Sequence, residues 1–360
     1  MDASLTQLCR FFDARKHHDT PMALATIVRT EGSTYRKAGA RILIAADGSS
    51  SGLLSGGCLE GELRELATQV MASGQPHRHW FDTRNDDPVW GLGLGCEGAM
   101  DVWIEPVNAG NGFGPLPFLQ RCLQRGVPGT LVTVIGGAAT PQQLGRHGFH
   151  PESAPDGLAA MLQRHSQETA GICSCTVEGR ELECFVNAVE LPMRVLLCGA
   201  GRDVIPVHAF VAALGWSVTV YDHRPVYADP ALFPQAGAVL LGRPEELEQR
   251  IDLKGFDAAV IMSHHLAADV AYLDVLSRFG LRYIGLLGPA TRRERILRDL
   301  GRPLGRAESA VYGPVGLDIG ASTPEAIALS IVAQMHAALS VRDGGHFDTT
   351  HREIIEAVTV

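Results

Sequence analysis

The sequence predicts an α/β protein of two domains, an N-terminal α+β domain over 1–190 and a C-terminal domain over 191–360 built on a parallel sheet. Three observations carry this. A chain of 360 residues exceeds the roughly 250 to 300 at which single cores stop growing. Up to Pro192 apolar runs follow one another as strands, with helices interspersed and long Gly-rich loops between them. From Met193 short apolar runs alternate with helical patterns, as parallel strands covered on both faces require.

In order, Leu5, Leu8, Phe11 and Phe12 fall on one side of a first, amphipathic helix. Residues 23–30 and 40–48 read as strands, the second closed by the Asp47-Gly48 turn. Residues 59–72 read as a helix, HRHWFDT and AMDVWIEPV as strands, and 117–125 as a helix. GTLVTVIGG is a further strand, 138–157 reads as a long exposed connection, and ELECFVNAV is the last strand of this domain. Beyond Pro192 come MRVLLCG, a helix over 204–214, SVTVYD, AVLLG, a helix at 244–250, DAAVIMS, a helix at 266–279, RYIGLLG and a helix at 290–300. Ser322 or Thr323 caps a final helix, with Pro324 in its first turn and Glu325 at its positive end.

Hydrophobic residues at 46% and charged residues at 20% suit a chain that buries large cores and exclude disorder. Acids outnumber Lys and Arg by 40 to 31, which disfavours nucleic acid and anionic lipid as partners. No signal pattern and no apolar run of roughly 20 residues is present, so a cytoplasmic protein off the membrane is expected. The eight cysteines are accordingly expected as thiols rather than a disulfide frame. Cys173 and Cys175 have C-x-C spacing without a second pair or a nearby His, and read as two thiols on one face of a strand.

The chemistry of the C-terminal domain gathers at strand ends. Gly199-Ala200-Gly201 follows the first strand and opens a helix, where backbone amides approach a phosphate, and Asp222 ends the next strand, where an acid takes ribose hydroxyls. Together they predict a Rossmann-like fold, although Val204 stands where a third glycine is usual. Arg224 is a candidate phosphate ligand, or else a surface arginine paired with a neighbouring acid. His264 and His265 follow DAAVIMS at the carboxyl edge; one faces the crevice or only caps the next helix. Gly288 sits in a Gly-rich turn after another strand, with Arg292, Arg293 and Arg295 in the helix beyond.

In the N-terminal domain, EGSTYRKAGAR over 31–41 offers the hydroxyls of Ser33 and Thr34 and the cations Arg36, Lys37 and Arg41, the groups an oxyanion needs. In SGLLSGGCLEGEL, Cys58 follows Gly56 and Gly57 just before a helix, whose positive end favours thiolate. Cys96 stands in the glycine-rich GLGLGCEG beside Glu97. The alternative for both is a small buried hydrophobe.

These segments together resemble the XdhC/CoxI family, accessory proteins that mature molybdenum hydroxylases such as xanthine dehydrogenase. The matching pieces are GSTYRKAGAR, SGGCLEGEL, GLGCEG, GAG with LGWSVTVYDHRP, SHH, YIGLLGPATRRER and GPVGLDIGASTPEAIALSI, in order from Glu31 to Ile331. The resemblance implies a chaperone rather than a turnover enzyme. It would bind the molybdenum cofactor, a molybdopterin with or without an attached nucleotide, while a cysteine desulfurase supplies the sulfido ligand, and hand it to the apo molybdenum hydroxylase. It implies Cys58 and Cys96 as candidate metal thiolates and the loops above as cofactor-binding. Where many relatives carry His after GAG, this chain has Arg202. A single cleft between the domains, a homodimer, and His264, Gly288 and Arg292 facing the N-terminal loops are further expectations. Two alternatives stay open: an NAD(P)-dependent oxidoreductase, which would explain the glycine turn, and a non-catalytic scaffold between desulfurase and hydroxylase.

Overall fold

The computed structural model describes residues 4–17, 20–57, 59–82, 84, 98–152, 158, 162 and 170–346. The chain divides into two compact units, Met1–Pro192 and Met193–Val360.

Unit 1 holds two antiparallel sheets. The first, in order β3-β2-β1-β5-β4, comprises β1 (Met22–Gly32), β2 (Arg41–Ala45), β3 (Ser50–Gly52), β4 (His77–Asp82) and β5 (Gly98–Val107). Its centre is covered on both sides, because β1 and β5 alternate their side chains between two cores. Ala23, Ala25, Ile27, Val102 and Ile104 meet Leu63, Ala67 and Val70 of α2 (Glu60–Ser73). On the other face Met22, Leu24 and Val107 meet α1 (Ser4–Asp13) and α3 (Leu116–Arg125).

The second sheet, in order β7-β6-β9-β8, comprises β6 (Thr130–Gly137), β7 (His147–His150), β8 (Ala170–Val177) and β9 (Arg180–Ala188). Two buried carboxylates of β5 tie it to the first sheet. Arg78 bridges Asp101 on β5 and Glu183 on β9, each at 2.6 Å, and His147 Nε2 lies 2.8 Å from Glu105 with Thr133 at its other nitrogen. Asp101 and Glu105 are nearly sealed from solvent, so these partners replace the water both carboxylates lose.

Unit 2 is one parallel sheet in order β12-β11-β10-β13-β14-β15, formed by β10 (Arg194–Cys198), β11 (Ser217–Asp222), β12 (Ala238–Leu241), β13 (Ala258–Ile261), β14 (Tyr283–Leu286) and β15 (Val311–Tyr312). Along β10, Val195 and Leu197 face α4 (Val204–Ala213) and α8 (Pro324–Leu339), while Leu196 and Cys198 face α6 (Leu266–Leu276) and α7 (Ala290–Leu300), a short α5 (Leu247–Arg250) lying between β12 and β13 in the chain. The order 3-2-1-4-5-6 reverses direction between β10 and β13, which makes their carboxyl ends the switch point of a Rossmann-like sheet.

The α/β class, with antiparallel sheets first and a parallel sheet after, agrees with the sequence reading. One local expectation is corrected. The stretch 138–157, expected as an exposed connection, contains β7, whose His147 pairs with Thr133 in register. Its Gly and His content hid a four-residue strand with only Gly148 fully buried. β15, two residues long, gave no periodic signal either. Among the described residues no helix is long and apolar enough to cross a membrane.

Candidate functional site

In unit 1 the expected anion loop runs off the end of β1 and returns at β2. Its path depends on Gly98 of β5, which pairs with Gly32, because a side-chain carbon there would stand 2.2 Å from the Ser33 carbonyl oxygen. Thr34 fixes the turn by donating its hydroxyl to the Arg36 carbonyl at 2.9 Å, and Lys37 donates to Thr34 Oγ1 at 3.4 Å. Ser33 is exposed.

Beside this loop lies a cavity of about 550 Å³, lined among others by Arg36, Lys37, Arg41, Tyr35, Asn187 and Glu190. Arg41 is buried and donates to Asn187 Oδ1 at 2.5 Å, so one cation is held rigidly by β9 while Arg36 and Lys37 ride on the loop. Asn187 was not singled out by sequence. An amide inside the apolar run ECFVNAV is the signal that would have pointed to it, since a buried amide needs a partner.

Gly57 has φ of +116°, a conformation that side-chain-bearing residues rarely adopt, and open space surrounds its α-carbon. Ser55 anchors the start of α2: its Oγ accepts from the Leu59 amide at 3.2 Å and lies within 2.9 Å of the Glu60 carboxylate. Cys58 and Cys96, the two candidate metal thiolates, lie outside the described residues. No set of three metal-ligating side chains occurs among the described ones.

In unit 2 the predicted residues do meet at the switch point, with different partners from those expected. Asp222 is fully buried and spends its carboxylate internally, accepting the Ala200 amide at 2.7 Å and both the side chain and the amide of Arg224. Burial alone would raise its pKa; the bonds from Arg224 and Ala200 outweigh this and hold it below the ordinary carboxylate value. The Asp222 carboxylate thereby stitches β11 to the glycine turn. Arg224 is the paired arginine of the alternative reading, its guanidinium also stacked 4.2 Å above Tyr227.

Across the turn, Asp203 comes so close to Gly201 that a side-chain carbon on Gly201 would be 2.6 Å from its Oδ1, while its Oδ2 lies 2.7 Å from His264 Nε2. His264, at the end of β13, holds a left-handed backbone with φ of +59°. His265 caps α6, its Nδ1 accepting from the Ala268 amide at 3.2 Å. Behind them Ser263 donates to the buried Asp269, which in turn holds Arg292 at 2.6 Å, and the Arg292 side chain lies against Gly288. Asp269 was not anticipated. An acid inside the apolar run LAADVAYL is the mark of a buried, partnered charge.

Residues 195–335 match the model described as the XdhC Rossmann domain, and residues 16–82 match that of the XdhC and CoxI family. The chain is 35% identical over 328 residues to a Bacillus subtilis (strain 168) protein named as a probable xanthine dehydrogenase subunit, covering 90% of this chain and 94% of that one. The chain belongs to the XdhC and CoxI family. A solved structure described as a xanthine dehydrogenase from Bacillus halodurans superposes with a TM-score of 0.76 at 30% identity, over 94% of this chain and 97% of that one. The molybdenum cofactor insertion chaperone PaoD of Escherichia coli (strain K12) is 22% identical over 316 residues, 87% of this chain and 81% of its own. Both XdhC family segments are thus present here, one in each unit, and the one in unit 1 includes the basic loop.

Proposed function

We propose that this family member is an accessory protein of molybdenum cofactor maturation, which carries the cofactor for a xanthine dehydrogenase- or aldehyde oxidase-type hydroxylase. The observation that carries this reading is the basic cavity of unit 1. Its volume of about 550 Å³ falls within the usual range for small-molecule sites, and Arg36, Lys37 and Arg41 supply the charge a pterin phosphate requires. The names of the Bacillus and Escherichia relatives point to the same pathway. Cys58 is the thiol we assign to the metal end of the cargo, with Cys96 the second. In the sequence Cys58 lies between the strained Gly57 and the start of α2, where the positive helix end favours thiolate.

A cysteine desulfurase and an apo-hydroxylase are the partners of this proposal, and a homodimer is its assembly. An NAD(P)-dependent oxidoreductase is disfavoured by two features of the glycine turn. Asp222 spends its carboxylate on Ala200 and Arg224, and Asp203 brings a negative charge beside Gly201 that would repel a diphosphate.

The test is to purify the chain from a host that makes molybdenum cofactor and to assay molybdenum and pterin per chain. Near-stoichiometric loading is expected, with about a tenfold loss in the double variant R36E/K37E, since each 1.4 kcal/mol of lost attraction is a factor of ten. Parent protein free of both molybdenum and pterin would end the proposal. Equal loading of parent and variant would remove the cavity from it.

A further inference from the structure

Three thiols other than those assigned to the cargo share one face of the second sheet in unit 1. Cys173 of β8 stands directly opposite Cys184 of β9, and Cys175, two residues along, returns to the same face. On spacing alone Cys173 and Cys175 lack a third sulfur; the hairpin supplies it. Cys175 Sγ lies 3.5 Å from Cys184 Sγ, whereas the Cys173 thiol points at the Cys184 carbonyl oxygen at 3.7 Å. Cys184 is buried among Val132, Val134, Leu158 and Val186, while Cys173 and Cys175 are half-exposed.

We propose that Cys175 and Cys184 form a peroxide-sensitive dithiol that closes to a disulfide across the β8–β9 hairpin. The contact leaves about 1.5 Å to close before the sulfurs reach a bonded separation of about 2.05 Å, and because the two residues are diagonal neighbours the hairpin backbone moves together with the side chains. Cys175, the half-exposed thiol, is the first to react. Its thiolate attacks a hydroperoxide, the O–O bond breaks, and an alcohol (water, for hydrogen peroxide) leaves with a sulfenic acid formed on Cys175. The Cys184 thiolate then attacks that sulfur, the S–O bond breaks, and the departing hydroxide takes up a proton as water. Two thiols and one hydroperoxide thus give one disulfide, one water and one alcohol. Burial, with the neighbouring Cys175 adding to it, pushes the Cys184 thiol well up and slows its attack; the 3.5 Å contact with its target is what gives it the second role. The proposal stands apart from cofactor carriage and holds whether or not the protein carries a pterin.

The experiment uses the full chain and hydrogen peroxide as the probe. Treated protein, denatured and titrated for thiols, is expected to have lost two of its eight, with an intact mass lower by two hydrogens. Cleavage at Arg180 separates the two strands, so a non-reduced peptide map should show Cys175 joined to Cys184. The linkage should persist in Cys173→Ser, vanish in Cys175→Ser, and open with a dithiol reductant. A bond from Cys173 instead, intermolecular linkage, oxidation to sulfinic acid without a bond, or no loss of thiols would each overturn the assignment. The parent's own map decides the matter if a variant fails to fold.

Discussion

Asp203 Oδ2 and His264 Nε2 meet at 2.7 Å across the switch point of the parallel sheet, with the same carboxylate packed over Gly201. In a dinucleotide-binding Rossmann sheet that position belongs to a phosphate, drawn by the amides and the positive end of the first helix. Here the chain supplies the anion itself, and the left-handed His264 holds it in place. A carboxylate of the chain's own therefore stands beside the glycine turn of this Rossmann sheet.

The first prediction follows from that contact. Titrating the parent with NADH or NADPH should leave nicotinamide fluorescence unchanged, because a diphosphate would have to displace a carboxylate of like charge. In Asp203→Asn the repulsion is gone, and affinity for inorganic phosphate, read by calorimetry, should rise about tenfold, a modest fraction of a close charge pair. Tight dinucleotide binding by the parent would contradict the reading.

Arg78 joins the two sheets of unit 1 through Asp101 and Glu183. Asp101 is nearly sealed, so Arg78→Met leaves a buried charge unpaired. Removing one partner of a buried pair costs about 3–5 kcal/mol, and because about a quarter of the arginine side chain is exposed the lower end, about 3 kcal/mol, is expected. Urea unfolding measures it; a change under about 1 kcal/mol would mean that water replaces the guanidinium without penalty.

Gly98→Ala tests the link from β5 to the basic loop. The new carbon would meet the Ser33 carbonyl at 2.2 Å, so strand or loop must shift. Loss of bound pterin with only a small change in unfolding midpoint is expected, since Gly98 lies at the strand end and the loop, more than the core, absorbs the movement. Full loading would show that the loop position is immaterial to the cargo.

Cys58→Ser keeps the size of the side chain and removes the soft ligand. Folding should survive while bound molybdenum falls sharply and pterin less so, because the phosphate end of the cargo is held by cations rather than by sulfur. Unchanged molybdenum per chain would make Cys58 structural and move the metal contact elsewhere.

The alternation of strands and helices after Met193 was legible because β10 to β14 are each a run of four to six residues bounded by glycine or polar turns, and the final helix because Thr323 and Pro324 mark its start. The Gly199 turn and Asp222 were legible as a motif, yet the motif did not reveal its occupant. Nothing local announces that Asp203 will reach His264, 61 residues away in the chain, or that Asn187 will hold Arg41 from 146 residues away. Such pairs depend on strand order, and sequence shows only their precondition, a polar residue where the pattern calls for an apolar one. Asp269 and Asn187 both carry that mark.

His208 carries it too, and provides the last prediction. It lies on α4, 2% exposed, its ring edge-on to Phe233 at 5.5 Å and its Nε2 buried with no hydrogen-bond partner among the described residues. Burial lowers its pKa below the ordinary value of 6.5, so it folds as the neutral imidazole. Below pH 6.5 the unfolded chain takes up a proton there that the folded chain refuses, and stability falls as pH drops from 6.5 toward the depressed folded value. His208→Leu removes that proton uptake. Between pH 7.5 and 5.5 the parent should lose about 1 kcal/mol more than the variant, read from amide exchange of Val195–Cys198 in the β10 strand beneath the helix. Parallel pH profiles for the two proteins would show that His208 titrates alike in both states, and that its lone nitrogen finds water.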